Sequence, residues 1–563
     1  MGFRVGLLSS SFGSMAQAFL TALQNDGQEV VRPEDLGFSP PLSAAAMERF
    51  AERAACDVLF CPFLKERVPA QVCQRQPTWI AHPGPPGDAG PSSLAWAIFD
   101  GEPIWGLTMV KAEPAARAEE LDSGNVGAWQ KFRLPPDATM AEAYAQYCIP
   151  AAVACARQIL DRMATDPGYR GVPLAECPAA GPAQFRGSLK QDRLAFDWDL
   201  SAEEILRRVR AAPFGARTTL AGQPVNVYDA HGPEPTWFGP PPDTIVAHRD
   251  GAVLVATGDG QGVWVGQAKI KPEHGGRGLK LPALHAVRSH LNGHAEHVLH
   301  PHRPPHAPWT HQVIRYRKLG PVGWIDARPY NGAASTEYCR RLLDALEYAA
   351  AQDTTAIVVA GGRRAWCHGI HLSVIEAAAN PAKEAWANIQ KMDDVAEYVF
   401  HLSRGPRAQT TIAVLGASAG AGGAVLSACF DHVLARPSIV LNYHYRKMGL
   451  PGSELRSLVL PQRAGDDTAA RLLADCLPIS AATAHSLGLV DAIGPEDPDE
   501  FHRWAQEWAQ ETAAALAAQQ GPSLVPVDTA PYRHQELREM HEAIFGNGDG
   551  FADKRRQFLG VAA

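Results

Sequence analysis

Two stretches decide how this chain is read: AGGRRAWCHGIHL at residues 360–372 and GASAGAGGAV at residues 416–425. AIVVA at 356–360 is a short apolar run of the kind that forms a buried strand, and residues 373–379 resume a helical pattern. The second stretch repeats the arrangement, with TIAVLG as a strand, AVLSACF as a helix and small residues between them. Each strand–turn–helix junction presents backbone N–H groups that nothing inside its helix satisfies. If the two junctions converge, those N–H groups can hold a carbonyl oxygen as charge develops on it.

Two such turns about fifty residues apart resemble the crotonase (enoyl-CoA hydratase/isomerase) superfamily, which polarises acyl-CoA thioesters. The resemblance implies Ile370 and Gly422 as the N–H donors, with Gly369 and Gly423 beside them in the cofactor site. Asn331, Gly332 and Ala333 stand where crotonases begin to enclose coenzyme A. Hydratases carry a glutamate three residues after the oxyanion glycine, but Val425 occupies that place here. No Asp or Glu lies between Asp431 and Glu454, so hydration of an enoyl-CoA is not expected. Tyr445 and Glu454 are the nearest polar candidates. Read alone, they are a packed tyrosine and a glutamate favoured by a helix dipole.

Length and composition frame this reading. A chain of 563 residues exceeds one ordinary core, so two or three domains are expected. Hydrophobic content of 46% with 20% charge fits a globular protein, and a net charge of -8 argues against a nucleic-acid binder. The ten cysteines include no CxxC, which supports neither a disulfide framework nor a zinc ribbon. No run approaches membrane-spanning length and the N-terminus lacks a signal-peptide pattern, so a cytoplasmic protein is expected.

In the N-terminal part, FRVGLL (3–8) and DVLFCPF (57–63) read as strands of a parallel sheet with helices between. A histidine in a Pro/Gly loop follows (HPG at 82–84), then WAI, GLT and DSG in order. These landmarks resemble folate-dependent formyltransferases, which pass a formyl group from 10-formyltetrahydrofolate to a nucleophile. By that pattern His82 is the general acid/base, Asp122 orients it or relays its proton, and Gln17 and Gly84 are cofactor-binding residues. A histidine titrates in the right range for the two proton transfers. Taken alone, His82 would read as a loop residue capping backbone groups. The family's asparagine two residues before the histidine is Ile80 here.

From residue 184 the texture becomes that of a small β domain, like the C-terminal domain of the same formyltransferases. Eight histidines lie between His285 and His311, but with Glu296 their only acidic neighbour a solvated linker is expected rather than a metal site. The fold expected is therefore α/β in five parts. These are a formyltransferase-like Rossmann-type domain (1–180), a small β-barrel-like domain (181–280), a His/Pro-rich linker (281–312), a crotonase-like α/β domain (313–500) and a helical tail (501–563).

The two halves together resemble hydrogenase maturation factors of the HypX/HoxX family. The supporting strings are HPG-x-x-GD-x-GPSSL-x-WAI, NGA-x-ST, GIHL-x-x-IEAA, MDD, AGAGG, LN-x-HY-x-x-MG and GSE. The family's Ser-Asn before GIHL is Cys367-His368 here, and its aromatic run after GSE is Leu455-Arg456-Ser457. The resemblance implies formyl transfer from 10-formyltetrahydrofolate to coenzyme A, then decarbonylation of formyl-CoA to CO. Implied partners are hydrogenase maturation proteins or the hydrogenase large subunit, with no nucleic acid and no membrane. Two other readings stay open at this point. One is a formyltransferase acting on a small amine or acyl carrier, and the other is a non-catalytic hydrogenase assembly scaffold.

Overall fold

The computed structural model describes residues 2–114, 124–177, 185–235, 239–270, 278–288, 311–405, 407–519, 524–546 and 550–561. The chain forms two compact units, one of residues 1–194 with 210–213, the other of residues 195–209 with 214–563.

The first unit is built on six strands: β1 (Arg4–Ser9), β2 (Glu29–Val31), β3 (Val58–Phe63), β4 (Thr78–His82), β5 (Ile104–Lys111) and β6 (Val126–Arg133). Their order is β2-β1-β3-β4-β5-β6, parallel through β4 and antiparallel beyond it. The VLFCPF run of β3 is buried along five of its six residues, as a sheet covered on both faces requires. His82 ends β4, at the carboxyl edge where open α/β sheets bind their ligands.

In the second unit a six-stranded antiparallel sheet comes first. It comprises β7 (Ala216–Leu220), β8 (Gln223–Pro235), β9 (Ile245–Arg249), β10 (Ala252–Ala256), β11 (Gln261–Ile270) and β12 (Lys280–Pro282). This sheet lies in one compact unit with the C-terminal region. The start of the expected linker is also ordered. β12 pairs with β11, and residues Ala283–Val287 form a short helix. His311, expected in solvent, stacks on His231 with ring centroids 4.3 Å apart and lies 2.9 Å from the Tyr330 hydroxyl. Burial holds its ring well below the usual histidine range. The remaining linker histidines from His290 to His306 lie outside the described residues.

Nine strands follow: β13 (Ile314–Leu319), β14 (Val322–Ala327), β15 (Ala356–Ala360), β16 (Thr410–Leu415), β17 (Ala419–Gly420), β18 (His432–Ala435), β19 (Val440–Asn442), β20 (Pro478–Ser480) and β21 (Ala492–Ile493). One sheet runs β13-β14-β15-β16-β18-β21, and a small one runs β17-β19-β20. The large sheet is apolar on both faces. Ile325, Ile357, Val359, Ala413 and Leu415 point into the main core. Trp324, Val358, Ile412 and Val414 point the other way, onto Phe501, Ala505 and Ala509 of helix Pro498–Gln519. Strand residues alternate faces and helical residues return every fourth position, so the two patterns interlock.

The helical tail is thus part of the core. Its last two helices, Ala530–Phe545 and Phe551–Leu559, also reach the crotonase-like part. Glu536 accepts the Ser457 N–H at 2.7 Å, and Arg555 pairs with Glu376 at 2.7 Å. No described helix is long and apolar enough to cross a membrane.

Candidate active site

In the first unit, the loop after β4 is fixed by three bonds. Ser93 Oγ and Trp105 Nε1 both donate to the Pro83 carbonyl, at 2.8 and 2.9 Å, and Thr108 Oγ1 donates to the Gly84 carbonyl at 2.7 Å. The loop brings His82 Nε2 within 2.9 Å of Asp88 Oδ2, with both side chains buried. A Cβ on Gly84 would stand 2.3 Å from that carboxylate oxygen and 2.6 Å from the histidine nitrogen. Glycine is therefore what lets the pair close. Asp122, the expected partner, lies outside the described residues. The sequence reading passed over Asp88, although it is the aspartate of the quoted GD-x-GPSSL string. Ile80 continues β4 opposite Val110, and Gln17 donates to the Phe12 carbonyl at 3.1 Å in the turn after β1.

In the second unit the two glycine-rich turns do converge. The Gly420 N–H donates to the Cys367 carbonyl at 2.9 Å, and Trp366 N–H to Ser418 O at 3.0 Å. A Cβ on Gly423 would stand 2.1 Å from the Cys367 carbonyl oxygen, and one on Gly369 would stand 3.1 Å from Gly422 N. Gly422 is the first residue of helix Gly422–Ala428, so its N–H has no acceptor inside the helix. Among the described residues, the backbone N–H of Ile370 also has no backbone acceptor. Ala421 sits at φ 45°, ψ -125°, a conformation rare for an L-residue. Its N–H bond to the Asn442 carbonyl at 2.8 Å holds it there. Strain of this kind collects at functional sites.

Glu454 faces this turn. It is fully buried, at φ 62°, just before helix Arg456–Ala464. Its backbone N–H donates to Asp393 Oδ1 at 2.7 Å, and the Tyr445 hydroxyl donates to its Oε2. Its other oxygen would stand 2.5 Å from a Cβ on Gly422. Burial pushes the Glu454 carboxyl up to about 7, against the pull of the Tyr445 bond. Asp393 is driven well above the carboxylate range by burial and then by the Glu454 charge. Burial likewise raises Glu536 and holds Tyr445 neutral. Tyr445 is thus committed to Glu454 rather than to a free position in the pocket. Val425 is buried in the core, where a hydratase would place its acid.

Asp393 and Glu536 were not among the residues singled out from sequence. The MDD string carried the first, but nothing local marks the second, which reaches the site from the tail.

Asn331, Gly332 and Ala333 lie alongside the first turn. The Gly332 carbonyl accepts the His368 N–H at 2.7 Å, and Ala334 N–H donates to Gly369 O at 2.8 Å. Asn331 Oδ1 accepts from Arg364 at 2.8 Å and Lys280 at 3.4 Å. Burial, then the charge of Arg364, pushes the Lys280 ammonium down to about 7. Two cations gathered on one amide oxygen suit an anionic ligand.

A buried acid with a raised pKa costs stability once the pH exceeds its unfolded value, because the folded state then binds more protons than the unfolded one. Glu454→Gln should therefore be more stable than the parent above pH 7, by an amount on the order of 1–3 kcal/mol. The difference should close as the pH falls toward the ordinary carboxylate range. Chemical denaturation at pH 5 and pH 8 checks this, and equal stabilities at both would refute it.

Comparison with known proteins adds the lineage. Residues 188–276 match the formyl transferase C-terminal domain, and residues 325–543 match the enoyl-CoA hydratase/isomerase family. The crystal structure of HypX from Aquifex aeolicus in complex with tetrahydrofolic acid is 29% identical, with a TM-score of 0.88, covering 99% of this chain and 96% of that one. The hydrogenase maturation factor HoxX of Bradyrhizobium diazoefficiens is 33% identical over 571 residues, 99% of this chain and 94% of that protein. This chain belongs to the HypX/HoxX family of hydrogenase maturation factors.

Proposed function

We propose that the chain transfers a formyl group from 10-formyltetrahydrofolate to coenzyme A and then releases CO from the formyl-CoA. The observation that carries this reading is the Glu454–Tyr445 pair set against the Gly422 turn, with Val425 in place of a hydratase acid. In the first step the CoA sulfur bonds to the formyl carbon and the bond from that carbon to N10 of the folate breaks. His82 takes the thiol proton and returns it to N10, with Asp88 holding the ring in place. The tetrahydrofolate complex of the Aquifex relative supports folate as the donor.

In the second step the N–H groups of Ile370 and Gly422 hold the formyl oxygen. Glu454 takes the proton from the formyl carbon, and the C–H electron pair becomes the lone pair on carbon in CO. The C–S bond breaks with its pair on sulfur, and the proton is handed to the thiolate. No oxidant or reductant is needed. Asn331, Lys280 and Arg364 form the rim that receives the anionic part of CoA. One chain carrying both sites raises the local concentration of a water-labile intermediate. CO of this origin would serve nickel–iron hydrogenase, with maturation proteins or the large subunit as partners and the cytoplasm as the compartment.

Incubation with 10-formyltetrahydrofolate and CoA should yield CO, detected by its binding to a haem reporter. Absence of CO together with formylation of another acceptor would discard the reading. Glu454→Gln should accumulate formyl-CoA, or formate from its hydrolysis, while the first transfer continues. Chromatography of the quenched acyl-CoA pool decides, and undiminished CO would remove Glu454 from the mechanism.

The CO-forming rate should fall about tenfold per pH unit below 7, as the base becomes protonated. Tyr445→Phe removes a bond that favours the charged carboxylate, so it should move this acid limb to higher pH. A limb that stays put, or moves down, contradicts the assignment.

Gly84→Ala should lower formyl transfer by roughly 10²-fold or more, the scale of general acid–base catalysis. The added methyl collides with both His82 and Asp88. Consumption of 10-formyltetrahydrofolate at the parent rate would show that the pair is not needed.

A further inference from the structure

Beside the first turn, where it meets the helix that follows the second, lies a small cavity of about 20 Å³, which the mechanism above does not use. Cys367, Met392, Val395, Val399, Leu426 and Phe430 are among the residues that line it. Two of these residues also belong to the reacting site. Cys367 Sγ accepts the Gly369 N–H at 3.4 Å, and its carbonyl abuts Gly423. The Met392 methyl would stand 3.0 Å from a Cβ on Gly422, on the same side as the Glu454 carboxylate. One layer of side chains thus separates the oxyanion position from the cavity.

The volume is enough for one molecule the size of water, but a buried water needs two to four polar partners. Among the lining residues, Tyr338, Cys339 and Cys367 carry a hydroxyl or a thiol. Burial raises all three, which keeps them protonated and neutral. The indole N–H of Trp366, another wall residue, is directed to the Val359 carbonyl at 3.5 Å. Cavities lined in this way stay dry and take up small apolar molecules.

We infer that this cavity is a binding site for a small, uncharged, apolar gas, and that it receives CO as the molecule leaves the oxyanion turn. The inference rests on the decarbonylation proposed above. CO has no charge and almost no dipole, so an apolar void holds it where water is not held. The CoA thiolate leaves on the polar side, next to Asn331 and Arg364, and the two products therefore part in different directions. Phe430 also lines a second cavity of about 500 Å³ beside Arg404, Cys429 and Asp431.

Xenon tests occupancy without any need for turnover. Crystals of the full chain pressurised with xenon should show the atom between Cys367, Met392 and Leu426. In Val399→Ile, or in Val395→Ile should the first variant fail to fold, the added methylene should exclude xenon. The same variant should slow single-turnover release of CO from supplied formyl-CoA several-fold, with formyl transfer from folate unchanged. An empty cavity in the parent would overturn the inference, as would a filled variant that releases CO at the parent rate. A parent that binds xenon but makes no CO from formyl-CoA would sink the reaction itself, and CO as the occupant with it.

Discussion

Everything in the C-terminal half depends on how closely two turns approach one another. The Cys367 carbonyl lies where a side chain on Gly423 would begin, and a Cβ on Gly369, at φ 84°, would stand 3.1 Å from Gly422 N. A methyl group on Gly423 would force the turns apart, and one on Gly369 would be both crowded and strained. The glycines therefore act by omission. Around them the chain accepts unfavourable backbone geometry at Ala421, Asn331, Glu454 and Leu455, all at positive φ without being glycine. Such conformations persist only where the surroundings over-determine them. Here the surroundings are the β17–β19 pairing, the Asp393 acceptor and the tail helix that carries Glu536.

The first unit solves a similar problem with other means. An antiparallel strand and a short helix grip the Pro83 and Gly84 carbonyls, so that His82 leaves β4 at a fixed angle and finds Asp88 six residues on. The two residues lie close in sequence, and the missing side chain at Gly84 leaves the room in which they meet.

Much of this was legible in the sequence because it is written in local patterns. AIVVA became a strand of those same five residues, Ala356–Ala360, and the small-residue run at 416–425 became a turn into helix Gly422–Ala428. Glu454 stood out because the preceding span holds no other acid. What was not legible depends on distant pairing. Asp393 and Glu536 reach the site from a long helix and from the tail, 61 and 82 residues from Glu454 in opposite directions. No periodicity announces that they will meet. The linker histidines misled for the opposite reason: a polar, proline-rich stretch reads as solvated, yet its end at His311 is packed between His231 and Tyr330.

The electrostatic surroundings of Glu454 fit the role of base proposed for it above. A neighbouring cation would stabilise its charge and leave a carboxylate too weak to remove a proton from carbon. The cations nearby are instead held elsewhere: Arg456 by Glu539, and Arg533 by Asp394 and Glu397. The Glu454 carboxylate accepts from a tyrosine hydroxyl, and its backbone N–H donates to a second buried carboxyl. The hydroxyl orients the carboxylate without neutralising it, and the charge of Glu536 adds to burial in opposing its ionisation. Burial sets the affinity for a proton near 7, so the group is part-ionised at neutral pH and gains the most from taking one. In the decarbonylation proposed above, the same burial would also keep water from the formyl thioester, so one feature would serve both the base and the group it acts on.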